Sequence, residues 1–177
     1  MPRLPYVPAD LAAPREVVDA VRARRGGTLL ALDRMLLHSP PVAMGWNSLL
    51  GAIRQQTVLS PRLRELAMCA VAALNGADYE WTHHAPLFLA AGGTPAQLEA
   101  LRDPVRALAS DAPLDAAERA ALALTVEMTR SVAVADATFA AARAALPDDR
   151  HAFELVVTIA AYNMVSRVLV ATAVCDD

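Results

Sequence analysis

Apolar residues return every three to four positions along most of the chain, which is the spacing of one face of an α-helix. Proline, glycine and short polar residues interrupt this pattern where helices are expected to begin and end. The pattern predicts nine helices and no strand, and therefore an all-α fold. The predicted helices are 14–25, 29–37, 42–56, 61–74, 79–91, 95–102, 116–130, 137–146 and a long last helix introduced by Pro147-Asp148-Asp149.

Several of these helices have explicit start signals. Ser60-Pro61 places a capping hydroxyl before a proline at the first helical position, and Thr94 with Gln97 forms a capping box. Asp78 and Asp136 are predicted to cap the helices that follow them. Asp103-Pro104 is interpreted as part of a loop.

Composition supports the all-α prediction and narrows the function classes. The 177 residues are 55% hydrophobic but only 5% aromatic, and all sixteen basic residues are arginine. Alanine and arginine favour helices, whereas strands favour β-branched and aromatic residues. A charged fraction of 20% excludes disorder, and a net charge of −3 gives no sign of nucleic-acid binding. We expect a single domain over residues 1–177.

The two cysteines and the N-terminus predict a cytoplasmic location. Cys69 and Cys175 are far apart in sequence and match no metal-ligand or redox pattern, so neither a disulfide scaffold nor a zinc site is expected. Residues 1–10 contain three prolines and no apolar stretch of the kind found in secretory signals.

One segment has the length and apolar character of a membrane span. Residues 155–174 are mostly apolar, but Asn163, Ser166 and Arg167 lie in their middle. Polar residues at the centre of such a segment favour a buried helix, so no membrane association is expected.

The densest polar cluster is the segment from Tyr79 to His84. Glu80 and His84 are i,i+4 neighbours on a helix, as are Tyr79 and His83. A carboxylate on the same face can orient an imidazole, and histidine exchanges protons near neutral pH, so this is a candidate acid/base site. The alternative is a pair of surface histidines with an ordinary i,i+4 contact.

Glu65 is a second candidate, on the preceding helix. The short link at Asn75-Gly76-Ala77 makes the two helices antiparallel neighbours, and Glu65 and His84 lie at comparable distances from it. The two side chains can therefore meet. The alternative is an ion pair of Glu65 with Arg62 or Arg64 in solvent.

Two further features allow both a structural and a functional interpretation. Asn163 and Arg167 are i,i+4 in an apolar helix, where the arginine is either a buried anchor or an anion-binding group; its expected partner is Glu154 of the same helix or of a neighbouring chain. Cys69 lies one turn after Glu65 and is either a packing residue or a thiol whose pKa is lowered by a nearby His84.

These residues resemble the carboxymuconolactone decarboxylase family, whose superfamily also contains alkylhydroperoxidase D. The resemblance covers about residues 60–101, and Tyr162, Asn163 and Arg167 also resemble the longer members. The residues that carry it are Arg62–Leu66, Val71–His84, with the string Tyr79-Glu80-Trp81-Thr82-His83-His84, and Ala90–Thr94. The resemblance implies an alkylhydroperoxidase D-like helical bundle that assembles into trimers or hexamers.

The resemblance also bears on the chemistry. In the peroxidase branch, a glutamate is followed twelve residues later by Cys-x-x-Cys-x-x-x-His. Aligning its histidine with His84 places the glutamate at Glu65 and the two cysteines at Ala77 and Glu80. Because neither of these residues is a thiol, peroxide reduction by the family mechanism is not expected.

The decarboxylase branch works without a cofactor on a carboxylated lactone of aromatic catabolism. By this resemblance His84 is the acid/base, Glu65 orients it, and Glu80 or Tyr79 completes the relay. No cofactor and no metal are expected, and the partners are a small-molecule substrate and further copies of this chain. The residues expected to contact substrate are Arg167, Asn163, Trp81 and His83.

Two alternatives remain open at this stage. The chain is a peroxidase-related antioxidant protein, or it is a non-catalytic oligomeric member in which the Glu/His cluster is structural. Self-association also has a physical basis, because a long apolar last helix leaves more apolar surface than a monomer of this length readily buries.

Overall fold

The computed structural model describes residues 1–176, and all regular secondary structure in that stretch is α-helical. The all-α fold predicted from the hydrophobic pattern is therefore confirmed. Ten helices are present within these residues: α1 Arg15–Arg25, α2 Ala31–Leu36, α3 Pro40–Gln55, α4 Pro61–Asn75, α5 Asp78–Ala90, α6 Pro95–Ala100, α7 Pro104–Leu108, α8 Ala116–Ser131, α9 Asp136–Ala144 and α10 Asp149–Thr172.

The described residues fall into two compact units, and the single domain expected for the whole chain stays a prediction. The first unit comprises Met1–Thr57 with the residues from Leu169 onward. In it α1 packs against α3. The buried Asp33 carboxylate lies between two guanidinium groups: Oδ1 is 3.7 Å from Arg24 Nη2, and Oδ2 is 2.9 Å from Arg25 Nε.

The second unit comprises Val58–Val168 and contains every residue of the candidate site. Helix α4 lies at its centre, packed against α5 and α8, and all eight residues from Glu65 to Ala72 are buried. A side chain on this part of α4 therefore faces other helices, so a carboxylate there needs a hydrogen-bond partner.

Local sequence explains how α4 and α5 are set side by side. Ser60 Oγ accepts a hydrogen bond from Leu63 N at 3.3 Å, and Pro61 occupies the first turn of α4. Gly76 ends α4 with φ of 63°, a left-handed conformation that glycine adopts without steric cost. The chain reverses there, and α5 begins two residues later.

Three details of the predicted helices were wrong. Asp103 Oδ1 accepts from Arg106 N at 3.1 Å and starts α7, a five-residue helix in a segment predicted to be a loop. Asp78 and Asp136 are the first helical residues of α5 and α9, and the cap positions belong to Ala77 and Ala135. An aspartate in the first turn still favours a helix, because it interacts with the helix dipole.

Helix α10 is the one helix of the described residues that is long and apolar enough to cross a membrane by length and composition. Its most apolar window has a mean hydropathy of 1.6, but half of that window is buried inside the protein. Core helices have the same properties, so α10 by itself does not indicate a membrane protein.

Candidate functional site

The site is built around a buried pair formed by Glu65 on α4 and His84 on α5. Oε2 of the glutamate lies 2.6 Å from Nδ1 of the histidine, and the two residues are only 4% and 6% exposed. The pair follows from the antiparallel packing of α4 and α5. The structure thus brings together the two residues that the sequence predicted to meet.

The arginines near Glu65 form other contacts. Arg62 Nε donates to Glu118 at 2.6 Å, so the expected alternative of an Arg62–Glu65 ion pair is wrong. Arg64 Nε is 3.7 Å from Glu65 Oε1, a charge contact longer than a hydrogen bond. Glu65 is therefore a buried carboxylate with the imidazole on one oxygen and a guanidinium near the other.

Helix α10 closes the site on a further side. The His84 ring contacts the Tyr162 ring edge-on, with centroids 4.9 Å apart, and Ser166 Oγ donates to Glu80 Oε2 at 2.8 Å. Residues 80 and 84 are one turn apart on α5, and residues 162 and 166 are one turn apart on α10. Two successive turns of α5 therefore meet two successive turns of α10.

Ser166 and Tyr162 are site residues that sequence reasoning did not select. The signal was present in the sequence, because both lie on one face of an otherwise apolar helix at i,i+4 spacing. Sequence spacing predicted instead that Glu80 would orient His84. The structure gives Glu80 a partner on α10 and gives His84 its carboxylate from α4.

Glu80 is buried with half of its hydrogen-bonding capacity unused. It is 2% exposed, and its Oε1 is buried without a hydrogen-bond partner. Burial raises the pKa of this carboxyl to about 8, and the Ser166 hydrogen bond only partly opposes that shift. Glu80 is thus mostly protonated at neutral pH.

The other predicted residues of α5 form a separate group. The Tyr79 and His83 rings stack with centroids 4.2 Å apart, and His83 Nδ1 lies 2.9 Å from the Tyr79 carbonyl oxygen. The guanidinium of Arg102 lies over the buried Trp81 ring, 4.0 Å from its centroid. The predicted i,i+4 pair of Tyr79 and His83 is therefore present as a stack.

Asn163 and Arg167 form a hydrogen-bonded anchor. Asn163 Nδ2 donates to Thr129 Oγ1 at 2.9 Å and to the Ile159 carbonyl at 3.0 Å. Its Oδ1 accepts from Asn75 Nδ2 at 3.1 Å and from Arg167 Nη1 at 3.0 Å. The amide is saturated, so this geometry favours the structural interpretation of Asn163.

Arg167 and its expected partner do not meet in the way predicted. Arg167 is exposed, and Nη1 also donates to the Asn163 carbonyl. Glu154 Oε2 accepts from the backbone N–H groups of Val58 and Leu59 at 2.7 Å and 2.9 Å. Glu154 therefore holds the backbone at the start of the second unit and does not pair with Arg167 of the same helix, whereas pairing between neighbouring chains stays a prediction.

Cys69 is fully buried one turn after Glu65. Burial raises the pKa of its thiol, and the nearby carboxyl groups of Glu65 and Glu80 raise it further, whereas Arg102 acts weakly in the opposite direction. Cys69 is thus a protonated thiol at neutral pH, which favours the packing interpretation. Within residues 1–176 no group of three potential ligands is arranged to hold a metal ion.

One family model matches just under half of this chain. The model of the family described as "Carboxymuconolactone decarboxylase family" matches residues 40–123. A comparison with curated protein sequences gives no significant match.

Solved structures resemble this chain over nearly its full length. A peroxidase-related protein of uncharacterised function from Silicibacter sp. is 22% identical, with a TM-score of 0.82 over 99% of this chain and 92% of that one. A peroxidase-related protein from Ralstonia eutropha, described as an alkylhydroperoxidase AhpD core, has the same TM-score and coverage at 19% identity. At these identities the likeness shows a common fold.

A third similar structure belongs to an enzyme. It is a cysteine-to-alanine variant of the debrominase Bmp8 in complex with 2,3,4-tribromopyrrole, 18% identical, with a TM-score of 0.76 over 97% of this chain and 90% of that one. This fold therefore holds both peroxidase-related proteins and a debrominase.

Proposed function

Since the carboxymuconolactone decarboxylase family model matches residues 40–123 and alkylhydroperoxidase D-like structures share this fold, we propose that the chain is a member of that superfamily and a cofactor-free acid–base enzyme acting on a small carboxylated lactone. The observation that carries the proposal is the buried Glu65–His84 pair, with 2.6 Å between Oε2 and Nδ1. A carboxylate that accepts from Nδ1–H fixes the tautomer of the imidazole and its orientation. Proton exchange with the substrate then takes place at Nε2.

The proposed reaction is a decarboxylation. The bond between a ring carbon and its carboxylate breaks, carbon dioxide leaves, and the electron pair moves into the conjugated ring carbonyl. The protonated His84 gives its proton to the resulting carbanion and takes one back from water. Glu65 stabilises the charged imidazole throughout, which is the role that an orienting carboxylate has in other acid–base sites.

Thiol-based peroxide reduction is not the proposed activity, although similar structures are described as peroxidase-related. That chemistry needs a reactive thiolate and a second thiol that closes a disulfide. The two cysteine positions of the peroxidase branch hold Ala77 and Glu80, and Cys69 is a buried thiol with a raised pKa.

The four residues predicted to contact substrate have different proposed roles. Arg167 remains the proposed carboxylate contact, because it is exposed and its guanidinium presents more N–H donors than Asn163 uses. Asn163 is proposed to hold that arginine in place. His83, which stacks on Tyr79, and Trp81, which lies under the Arg102 guanidinium, remain proposed substrate contacts.

The test is a paired assay on the purified protein. Carboxymuconolactone turnover and thiol-dependent peroxide reduction are measured for the wild type and for His84→Gln, Glu65→Gln and Cys69→Ser. We expect lactone turnover to fall by about a hundredfold or more in His84→Gln, the usual range for loss of a general acid–base group. Cys69→Ser should leave it unchanged. His38→Gln, which changes an exposed histidine of the first unit, is the matched control.

Three results would refute this function. Full turnover in His84→Gln would remove the acid/base assignment. Peroxide reduction that disappears in Cys69→Ser would favour the peroxidase-related alternative instead. A structural Glu/His network would show a third behaviour: His84 would resist small acylating reagents until the protein unfolds, and no ligand would change its rate of modification.

A further inference from the structure

The unused oxygen of Glu80 is not explained by the proposed acid–base pair. Oε2 is held by Ser166, but Oε1 is buried without a partner, and no cation of the described residues pairs with this carboxyl. Burying a polar group without a hydrogen bond costs free energy. An orphaned oxygen beside a candidate active site suggests that the missing partner is a ligand.

The groups around Glu80 determine which protonation state it adopts. Glu80 accepts from Ser166 of α10, the Cys69 thiol of α4 lies near the carboxyl groups of both Glu65 and Glu80 and near Arg102, and His84 is one turn away on α5 itself. Glu65 is already paired with the imidazole, Arg64 of α4 lies beside Glu65, and Arg167 of α10 donates to Asn163, so neither arginine pairs with Glu80. A second anion here would lie in a poorly solvated site without a counterion.

Protonation resolves this conflict, and it changes what Glu80 can do. Burial raises the pKa of the carboxyl to about 8, so Glu80 is neutral at pH 7. A neutral carboxylic acid has one O–H donor, whereas a carboxylate only accepts. With Oε2 accepting from Ser166, the proton belongs on Oε1, the oxygen that has no partner.

We propose that Glu80 donates a hydrogen bond from Oε1–H to an anionic oxygen of the substrate. This inference rests on the proposed function and assigns Glu80 a role different from that of a relay member. The acceptor is a carboxylate of the lactone, or the oxygen of the ring carbonyl, on which charge develops as carbon dioxide leaves. A buried neutral acid stabilises such an oxygen without placing a net positive charge in the site.

The proposal has a direct consequence for binding. Above the pKa of Glu80 the donor is lost and the carboxylate repels an anionic ligand, so affinity should fall with rising pH. Because only the neutral fraction binds, the apparent Kd should increase by about tenfold for each pH unit above that pKa. A glutamine at position 80 is a permanently neutral donor and should abolish this dependence.

The experiment measures binding of a lactone that cannot react. The probe is 5-oxotetrahydrofuran-2-carboxylate, a saturated lactone carboxylate, titrated by calorimetry from pH 6 to about 9.5, beyond the alkaline end of the transition. The proteins are the wild type, Glu80→Gln and Glu80→Ala, with Glu99→Gln as a matched loss of one exposed carboxylate. We expect the alkaline loss of affinity in the wild type and in Glu99→Gln, none in Glu80→Gln, and at least about tenfold weaker binding in Glu80→Ala at pH 7.

Three results would overturn the proposal. They are an unchanged alkaline loss in Glu80→Gln, wild-type affinity in Glu80→Ala, and no binding of the probe by the wild type at any pH. Infrared difference spectra provide a readout that does not depend on a ligand. The wild type at pH 7 should show the carbonyl band of a buried protonated carboxyl group, and Glu80→Gln should lack it; absence of the band from the wild type would also overturn the proposal.

These outcomes are separable from failure of the proposed function. A protein that binds the probe in a Glu80-dependent way but has no lactone turnover would retain the binding role and lose the decarboxylase assignment. If turnover depends on His84 but probe binding does not change with the residue at position 80, the decarboxylase assignment is retained and the binding role of Glu80 is lost.

Discussion

Glu80 makes the stability of the folded chain depend on pH in a range where most carboxyl groups do not titrate. Its pKa is about 8 in the folded state, against an ordinary value of 4.5. Between these values the unfolded chain releases the proton and the folded chain keeps it, so stability falls as pH rises. The loss begins above pH 4.5, amounts to about 1.4 kcal/mol for each unit of pKa difference, and is complete above pH 8.

We therefore expect Glu80→Gln to be more stable than the wild type at pH 8 and close to it at pH 5. The measurement is the free energy of unfolding by urea at half-unit steps of pH. Other groups with shifted pKa values act outside this range: those of Glu154 and Asp148 are lowered and matter in acid, and that of Cys69 is raised and matters above pH 9. If the free energies of unfolding of the wild type and Glu80→Gln differ by the same amount at every pH from 5 to 8, Glu80 does not have the raised pKa.

The same residues show what sequence spacing can and cannot predict. Spacing predicted that Glu65 and His84 meet, because two helices joined by a short turn have a fixed register. It did not predict that Glu80 bonds to Ser166, because an i,i+4 relation places two side chains on one face without deciding their rotamers. Partners supplied by a helix distant in sequence depend on tertiary packing, which the local pattern does not contain.

At the scale of elements, helix starts follow capping chemistry even in short helices, but a short helix is hard to predict from the sequence. The box formed by Thr94 and Gln97 starts α6 as predicted, with both of its hydrogen bonds present at 2.9 Å and 3.2 Å. Asp103-Pro104 carries the same kind of signal, yet α7 has only five residues. A helix that short has no apolar periodicity to support the capping signal, so the segment was predicted to be a loop.

The turn after α5 depends on a close approach that only glycine allows. A Cβ added at Gly93 would lie 2.3 Å from Cε1 of Phe88, whose ring is fully buried. We expect Gly93→Ala to lower the free energy of unfolding by about 1–3 kcal/mol, the usual cost of overpacking. For a chain of this length, each kcal/mol corresponds to about 2–4 °C in Tm.

Gly45 in α3 is the matched control for this substitution. A Cβ there meets nothing within 4 Å, and the position is an exposed helix interior. Alanine at such a site favours the helix, so Gly45→Ala should raise stability by up to about 1 kcal/mol. Thermal unfolding followed by circular dichroism compares the two variants. Equal effects would show that the contact with Phe88 is not what constrains position 93.

At the scale of the whole molecule, the likeness to solved structures extends over 99% of the chain, although the family model matches only residues 40–123. The sequence resemblance that we identified, residues 60–101, lies inside that match and contains Glu65, Glu80 and His84. Tyr162, which also resembles the longer family members, and Ser166 lie outside it, on α10. The core of the family pattern therefore located Glu65, Glu80 and His84, and the contacts made by α10 required the structure.

Helix α10 also carries an exposed apolar face that a monomer leaves in water. Phe153 is 67% exposed, and Ala160 and Met164 follow it at spacings that place them on one side of the helix. We propose that copies of this chain cover this face in a trimer or hexamer. Burial of apolar surface between copies is a common reason for such a face in an oligomeric protein.

We expect the wild type to sediment as an oligomer at micromolar concentration and Phe153→Asp to shift it towards the monomer, because a carboxylate at the centre of an apolar interface loses its hydration without gaining a partner. Phe139→Asp on α9 is the matched control, since Phe139 is also exposed but lies on another helix. Sedimentation velocity at several concentrations separates assembly from unfolding, which circular dichroism monitors in parallel. A wild type that sediments as a monomer would contradict self-association. If both aspartate variants dissociate equally, the interface is not specific to the exposed face of α10.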